Sequence, residues 1–424
     1  MEQYKIEEVA LDQPNLFAKK DSGITRKLQY SKYLNTGQVV VISGVRRSGK
    51  STLLKQFSDR LTNYNYINFD DERLVDFRIQ DFNTLLQIWQ KHFRSKNILI
   101  DEIQNVPSWE RFVRRIHDEG YKVFITGSNS KLLSSELATH LTGRYKNLEL
   151  FPFSFIEFAE FRKESIDLKT TSNKAKAAKL FEEYLFNGGF PEYAKSRDKE
   201  FVKKTYEDVI YRDIISRYNI RESKAFRLLS NYLFTNFTKE TSYGSLKKVL
   251  GFKSSTSVRE YVSRLQEAYL LFELYKYDYS LKKQYTSNKK IYAIDNGMRN
   301  EISFQFSEDR GRLLENMIFI ELKRRGKELY YFKNKKECDF IIFEKNKITE
   351  AIQVATVVSP ENRDREVDGL LEALEMFKLR EGCIITEHQK EKFEMGGKTI
   401  KLVPVIDWLV DKKLLNKNQL SRNS

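Results

Sequence analysis

The stretch QVVVISGVRRSGKSTLLKQF, residues 38–57, constrains this chain more than any other. A β-branched run at 39–43 leads through a glycine-rich turn into an amphipathic helical pattern, and the turn reads G-x-x-x-x-G-K-S from Gly44 to Ser51. Glycines at these places let backbone N–H groups close around phosphates at a helix N-terminus. In this pattern Lys50 reaches the β- and γ-phosphates and the Ser51 hydroxyl ligates Mg²⁺. Gly44, Arg47, Ser48, Gly49, Lys50, Ser51 and Thr52 are therefore the residues expected to cradle a nucleotide. The strand–turn–helix setting predicts an open α/β sheet with its ligand at the carboxyl edge of the strands.

Two further stretches fit the same edge. NILIDEIQ, 97–104, is an apolar strand pattern ending in two acids, and Asp101 lies 51 residues after Lys50. At that place Asp101 is expected beside Mg²⁺, with Glu102 polarising the attacking water. YKVFITGSNSKLL, 121–133, is another apolar strand running into small polar residues. Ser128 or Asn129 is expected either to sense the γ-phosphate or to cap a helix. Arg144, in LTGRY, has the chemistry to stabilise charge on a transferring phosphate in a neighbouring subunit, or to form a structural ion pair.

With these motifs, LFPFSFIEF, GGFPEY and YRDIISRY follow in order along the chain. In this series the sequence resembles a family of bacterial and archaeal AAA+ P-loop ATPases, over nearly its whole length. The resemblance implies ATP and Mg²⁺ as cofactors, a C-terminal winged helix joined to a restriction-endonuclease-like fold, and a homo-oligomer, with a hexameric ring as the AAA+ expectation. The expected class is α/β, with an AAA+ core over 1–160, a helical lid over 161–220, a winged helix-turn-helix over 221–300 and an endonuclease-like domain over 301–424. No one of Arg197, Arg212 and Arg217 stands out as the lid's sensor arginine.

The net charge of +15 is unevenly spread. Residues 195–290 hold 21 lysines and arginines against 11 acids, two-thirds of the excess. A basic region of this size attracts polyanions, and the same stretch reads as helix, short helix, turn at 251–255, longer helix, then strands at 271–277 and 290–294 around a basic turn. That order is the plan of a winged helix-turn-helix, which also serves as a protein-interaction module. In a DNA-binding version Lys253, Arg259 and Arg264 are the expected groove contacts and Lys282, Lys283, Lys289 and Lys290 the wing contacts on the backbone.

The C-terminal stretch ECDFIIFEKNKITEAIQVATV, 337–357, opens on the acid Asp339 and reaches Gln353 and Ala355 where a metal nuclease of the endonuclease-like class has Glu and Lys. Alternation along a strand puts Gln353 and Ala355 on one face and Glu350 on the other, so Glu350 is no replacement for the missing acid. Glu315, Asp339 and Gln353 are thus read as a degenerate site, with cleavage not expected.

Two cysteines and four histidines supply neither a disulfide framework nor a zinc cluster. No apolar run reaches membrane-spanning length and residues 1–13 lack the pattern of a signal peptide, so a cytoplasmic protein without a membrane partner is expected. The reading that gathers most features is an ATPase that binds duplex or branched DNA and remodels or translocates it, as in branch migration, unwinding or repair. A regulatory ATPase switch acting on protein partners and an ATP-gated nuclease remain open alternatives.

Overall fold

The computed structural model describes residues 1–128, 141, 143–303 and 309–411. It divides into two compact units, one of Met1–Pro152 with Glu267–Tyr269, the other of Phe153–Gln266 with Leu270–Ser424.

The first unit is built on β1 (Val39–Ser43), β2 (Asn65–Asn68), β3 (Asn97–Asp101), β4 (Lys122–Gly127) and β5 (Tyr145–Glu149), all parallel in the order β2-β3-β4-β1-β5. Successive side chains of β1 serve opposite faces: Val39 and Val41 join Ile98, Ile100, Val123 and Ile125 on one side, while Val40 and Ile42 join Leu99 and Phe124 on the other. Both faces are covered, which is why these strands read as unbroken apolar runs. The helix Lys50–Ser58 packs Leu53, Leu54 and Phe57 on the second face, and helices Gln3–Ala18, Asp81–His92 and Trp109–Asp118 cover the first. β4 lies between the strand that opens the glycine-rich turn and the strand that ends in Asp101, so all three carboxyl ends meet at one edge.

The second unit begins with helices Phe155–Phe161, Thr171–Asn187, Pro191–Ser196 and Lys199–Asp208, followed by a π-helix at Val209–Ser216. The break at Gly188 and Gly189 has a steric cause: a Cβ on Gly188 would stand 2.0 Å from Asp295 Oδ1, and one on Gly189 2.2 Å from the Phe153 carbonyl oxygen. Helices Ser223–Thr235, Tyr243–Leu250 and Ser255–Glu267 follow, with a three-stranded sheet in the order β6-β8-β7 from β6 (Glu240–Thr241), β7 (Leu271–Tyr275) and β8 (Lys289–Ala293). The segment expected as a plain basic turn between β7 and β8 instead contains the helix Leu281–Thr286, capped by the Ser280 hydroxyl. Ser280 before three helix-favouring residues was the cue.

The chain ends in a six-stranded sheet of order β13-β14-β12-β11-β10-β9, from β9 (Glu328–Lys333), β10 (Glu337–Glu344), β11 (Lys347–Val354), β12 (Glu381–Thr386), β13 (Glu391–Met395) and β14 (Lys398–Pro404). β9, β10 and β11 are antiparallel neighbours, whereas β11, β12 and β14 run parallel. Helix Arg363–Met376 packs Val367, Leu370, Ala373 and Leu374 against this sheet, and helix Arg310–Arg324 precedes it. Among the described residues no helix is long and apolar enough to cross a membrane.

Candidate functional site

The carboxyl ends of β1, β3 and β4 gather the motif residues of the first unit. After Ser43 the chain turns at Gly44, where a Cβ would lie 2.2 Å from the Leu150 carbonyl oxygen, so only glycine fits. Gly49, at φ 96°, caps the helix that starts at Lys50 and continues through Ser51 and Thr52. Arg47 is exposed at φ 65°, a backbone state that a non-glycine residue holds only where its surroundings impose it. Lys50 is buried, and its Nζ donates to the loop's own carbonyls at Gly44 (3.1 Å) and Val45 (3.2 Å).

Asp101 is 1% exposed and its carboxylate accepts from the Thr126 hydroxyl, with Tyr66 Oη 3.4 Å away. Burial first, and the neighbouring Glu102 second, raise its pKa, against the Thr126 and Ser51 hydroxyls that lower it. A buried carboxylate that is costly to ionise alone is stabilised by a cation. Ser51 and Asp101 together fit Mg²⁺ bound with nucleotide phosphates, which needs only one or two protein ligands. Glu102 sits just past the strand at φ 52°, its N–H donating to Thr126 Oγ1 at 3.1 Å and its carboxylate accepting from Gln104. Ser48 and Ser128 are buried on the same edge, and their hydroxyls lack partners among the described residues. Orphaned hydroxyls of this kind are satisfied when a polar ligand arrives. Asn129 lies outside the described residues. Arg144 Nε is 3.1 Å from Asp118 Oδ1, an ion pair within its own chain.

Two residues absent from every motif buttress this edge. Arg26 is buried, with Nη1 donating to the Ser48 carbonyl at 3.0 Å and Nη2 to the Phe151 carbonyl at 2.7 Å. Tyr269, at φ 59°, donates its hydroxyl to Ser43 Oγ at 2.8 Å, one residue before Gly44. Nothing local in the sequence marks either, because both act through backbone or hydroxyl groups far along the chain.

In the second unit Glu315 and Asp339 converge, and the group between them is Lys290. Its Nζ lies 2.7 Å from Glu337 Oε1, 3.0 Å from Glu315 Oε1 and 3.1 Å from Asp339 Oδ1. Burial would lower the lysine's pKa, but Glu315, Tyr292, Asp339 and Glu337 raise it well above the ordinary value, so it stays charged. Burial pushes Glu315 up to about 7, with Lys290 pulling it down and Tyr292 Oη donating to it at 2.6 Å. Gln353 joins the cluster through an amide oxygen that accepts the Asp339 N–H at 3.2 Å and an amide nitrogen 3.3 Å from Glu366. Glu350 points away, toward Lys327 at 3.9 Å, as strand alternation requires. Among the described residues no group of three or more His, Cys, Asp or Glu side chains is arranged to hold a metal. An ammonium stands amid the carboxylates instead.

This geometry corrects the expected wing contacts at Lys289 and Lys290. Both are buried, at 6% and 3% exposure. Lys289 donates to the carbonyls of Tyr285 (2.8 Å) and Ser287 (2.9 Å), fastening the end of the segment between β7 and β8. A run of lysines in a turn suggested a solvated face, but these two fall inside β8, where pairing and packing decide their direction. Lys253, Arg259, Lys282 and Lys283 are exposed, and Arg264 is half-buried over the Tyr218 ring at 4.0 Å.

An AAA domain profile matches residues 36–159, and a domain of unknown function matches 178–309. An uncharacterised protein of Methanocaldococcus jannaschii is 38% identical over 427 residues, covering 95% of this chain and 94% of its own. An uncharacterised protein of Haemophilus influenzae is 32% identical over 400 residues, covering 90% and 96%. Among solved structures, the Walker-type ATPase of Pyrococcus abyssi overlays with TM-score 0.42 at 15% identity, over 68% of this chain and 99% of that one. The Aeropyrum pernix Orc1 protein in complex with DNA overlays with TM-score 0.28 at 13% identity, over 76% and 93%. Superpositions this loose carry no conclusion about the present chain.

Proposed function

The chain belongs to the family of these two full-length relatives and carries an AAA domain, and we propose that it hydrolyses ATP to remodel or translocate DNA. The observation that carries the ATPase reading is the meeting, at one carboxyl edge of the sheet, of the glycine-rich turn, the buried carboxylate of Asp101 and the hydroxyls of Ser48 and Ser128, partnerless among the described residues, with Glu102 next in the chain. Ser51 and Asp101 would hold Mg²⁺ on the nucleotide phosphates, and the ion would supply charge neutralisation at the transferring group. Lys50, now bonded to Gly44 and Val45, would turn to the β- and γ-phosphates, and Ser48 and Ser128 would gain partners. Glu102 would orient the attacking water and Arg144 would act only after leaving Asp118, in a neighbouring subunit of a ring.

For the DNA reading, the support is the helix pair Tyr243–Leu250 and Ser255–Glu267 followed by β7 and β8, an order that fits a winged helix-turn-helix. Lys253, Arg259 and Arg264 on the second helix and its approach are the proposed DNA contacts, with Lys282 and Lys283 beyond β7. The six-stranded sheet with its two helices fits the endonuclease-like order. With Lys290 seated between Glu315 and Asp339, the domain is read as a platform that does not cleave. Branched or duplex DNA, and a hexameric ring, remain the proposed substrate and assembly.

Glu102→Gln is expected to retain ATP while turnover falls by a factor of about 10² or more, the scale of a lost general base. Lys50→Ala should lose nucleotide binding. Turnover close to the parent's in Glu102→Gln would remove the base assigned here.

A further inference from the structure

Between β7 and β8 the surface carries an unusual pairing of exposed rings and cations. Tyr279 is 78% exposed, Leu281 68% and Tyr285 65%, all within seven residues, and between them stand Lys282 and Lys283, also exposed. Neither lysine has an acidic partner within salt-bridge distance among the described residues. Isolated exposed apolar residues are ordinary; three within seven residues, flanking two adjacent exposed lysines, suit a contact surface.

The surface is held in shape from below. Asp278 Oδ1 accepts the Ser280 N–H at 2.8 Å, and Gln284 Nε2 donates to the Asp278 carbonyl at 2.6 Å. Buried Lys289 ties down the carbonyls of Tyr285 and Ser287. Tyr277 makes edge-on contacts with Tyr279 (5.5 Å between centroids), Tyr330 (5.6 Å) and Phe377 (5.1 Å), and Tyr275 supports Tyr285 at 5.7 Å. The rings are therefore presented with little ordering left to do on binding.

We infer that this platform, Tyr279, Leu281 and Tyr285 with Lys282 and Lys283, stacks unpaired bases of a DNA strand while the lysines hold its phosphates. Base faces match exposed aromatic rings whatever the sequence, and the adjacent cations supply the complementary charge. The inference rests on the DNA-binding reading above and narrows it: the substrate has single-stranded bases, as at a fork or an opened junction. Duplex bound through Lys253, Arg259 and Arg264 alone presents no free base face.

The test uses the full chain and three probes: a fluorescently labelled single strand containing 2-aminopurine, a blunt duplex, and a forked duplex. Wild type is expected to bind the single strand and the fork and to quench 2-aminopurine. The double variant Tyr279→Ser/Tyr285→Ser should weaken single-strand and fork binding on the order of tenfold or more and abolish the quench, with duplex affinity retained. Both side chains are exposed, so folding should survive, which circular dichroism checks. Lys282→Ala/Lys283→Ala should weaken binding and reduce the single-strand salt slope by about 1.4, two contacts at about 0.7 each. Unchanged single-strand affinity and quench in the tyrosine variant overturn the platform while leaving duplex binding intact. Wild type that binds none of the probes overturns the DNA reading and the platform together. If the tyrosine variant instead loses binding to vesicles of anionic phospholipid, or changes particle size, with single-strand affinity unchanged, the surface serves a membrane or a second copy and the inference fails.

Discussion

Single residues decide the chemistry within each of the two units. Asp101 and Asp295 are both buried carboxylates, but their neighbours differ. Asp101 accepts from the Thr126 hydroxyl beside the adjacent acid Glu102, at the edge where the proposed function places a cation. Asp295 is surrounded by backbone: Gly189 and Met298 N–H groups donate to it at 2.7 and 3.0 Å, and burial still pushes it up to about 6. A carboxyl whose folded pKa exceeds its unfolded value near 3.9 binds its proton more tightly when folded, so its contribution to stability is present below about 4 and is lost as pH rises through about 6. Denaturant unfolding of wild type against Asp295→Asn should therefore show wild type gaining on the order of 2 kcal/mol relative to the variant as pH falls from 7 to 4.5. A difference independent of pH would mean that Asp295 is ionised throughout. The P-loop and the DEIQ acids were legible in the sequence because their chemistry is local and strictly spaced. Lys290 was not, since its meaning depends on Glu315 and Asp339, 25 and 49 residues away.

At the scale of elements, the strands were readable and their connections less so. β1, β3 and β4 are apolar runs buried on both faces, and strand alternation correctly turned Glu350 away from Asp339. The helix Leu281–Thr286 escaped because six residues set no clear period, and β13 escaped because EKFEM is charged and mostly exposed on a sheet edge. Gly188 shows how one element position is set by another: a methyl group there meets Asp295 at 2.0 Å, in a conformation with φ 74°. Gly188→Ala should destabilise the second unit by about 2 kcal/mol or more, through strain at positive φ and displacement of Asp295. Thermal unfolding measures this; an unchanged midpoint would mean that the turn and the Asp295 loop move freely to admit a methyl group. Tyr269, likewise fixed at positive φ, bonds Ser43 beside the glycine-rich turn. Tyr269→Phe should raise the KM for ATP severalfold while leaving the fold intact, and an unaltered KM would limit that hydroxyl to packing.

For the whole molecule, the proposed function requires charge and hydrolysis to meet in one activity. The excess of +15 predicts binding to polyanions whose affinity falls steeply with salt, each phosphate contact contributing about 0.9 to the logarithmic slope on duplex. Charge alone would also suit an acidic protein partner, and nucleotide binding alone would suit a switch. What separates them is coupling. The most direct measurement is the steady-state ATPase rate of the full chain at low salt, alone and with saturating single-stranded, duplex, forked or four-way DNA. Hydrolysis linked to DNA predicts a rate that rises severalfold with at least one of them, and most with the forms that combine duplex and unpaired bases, an increase that added salt removes. A rate that no DNA changes, in protein that turns over ATP, would contradict it.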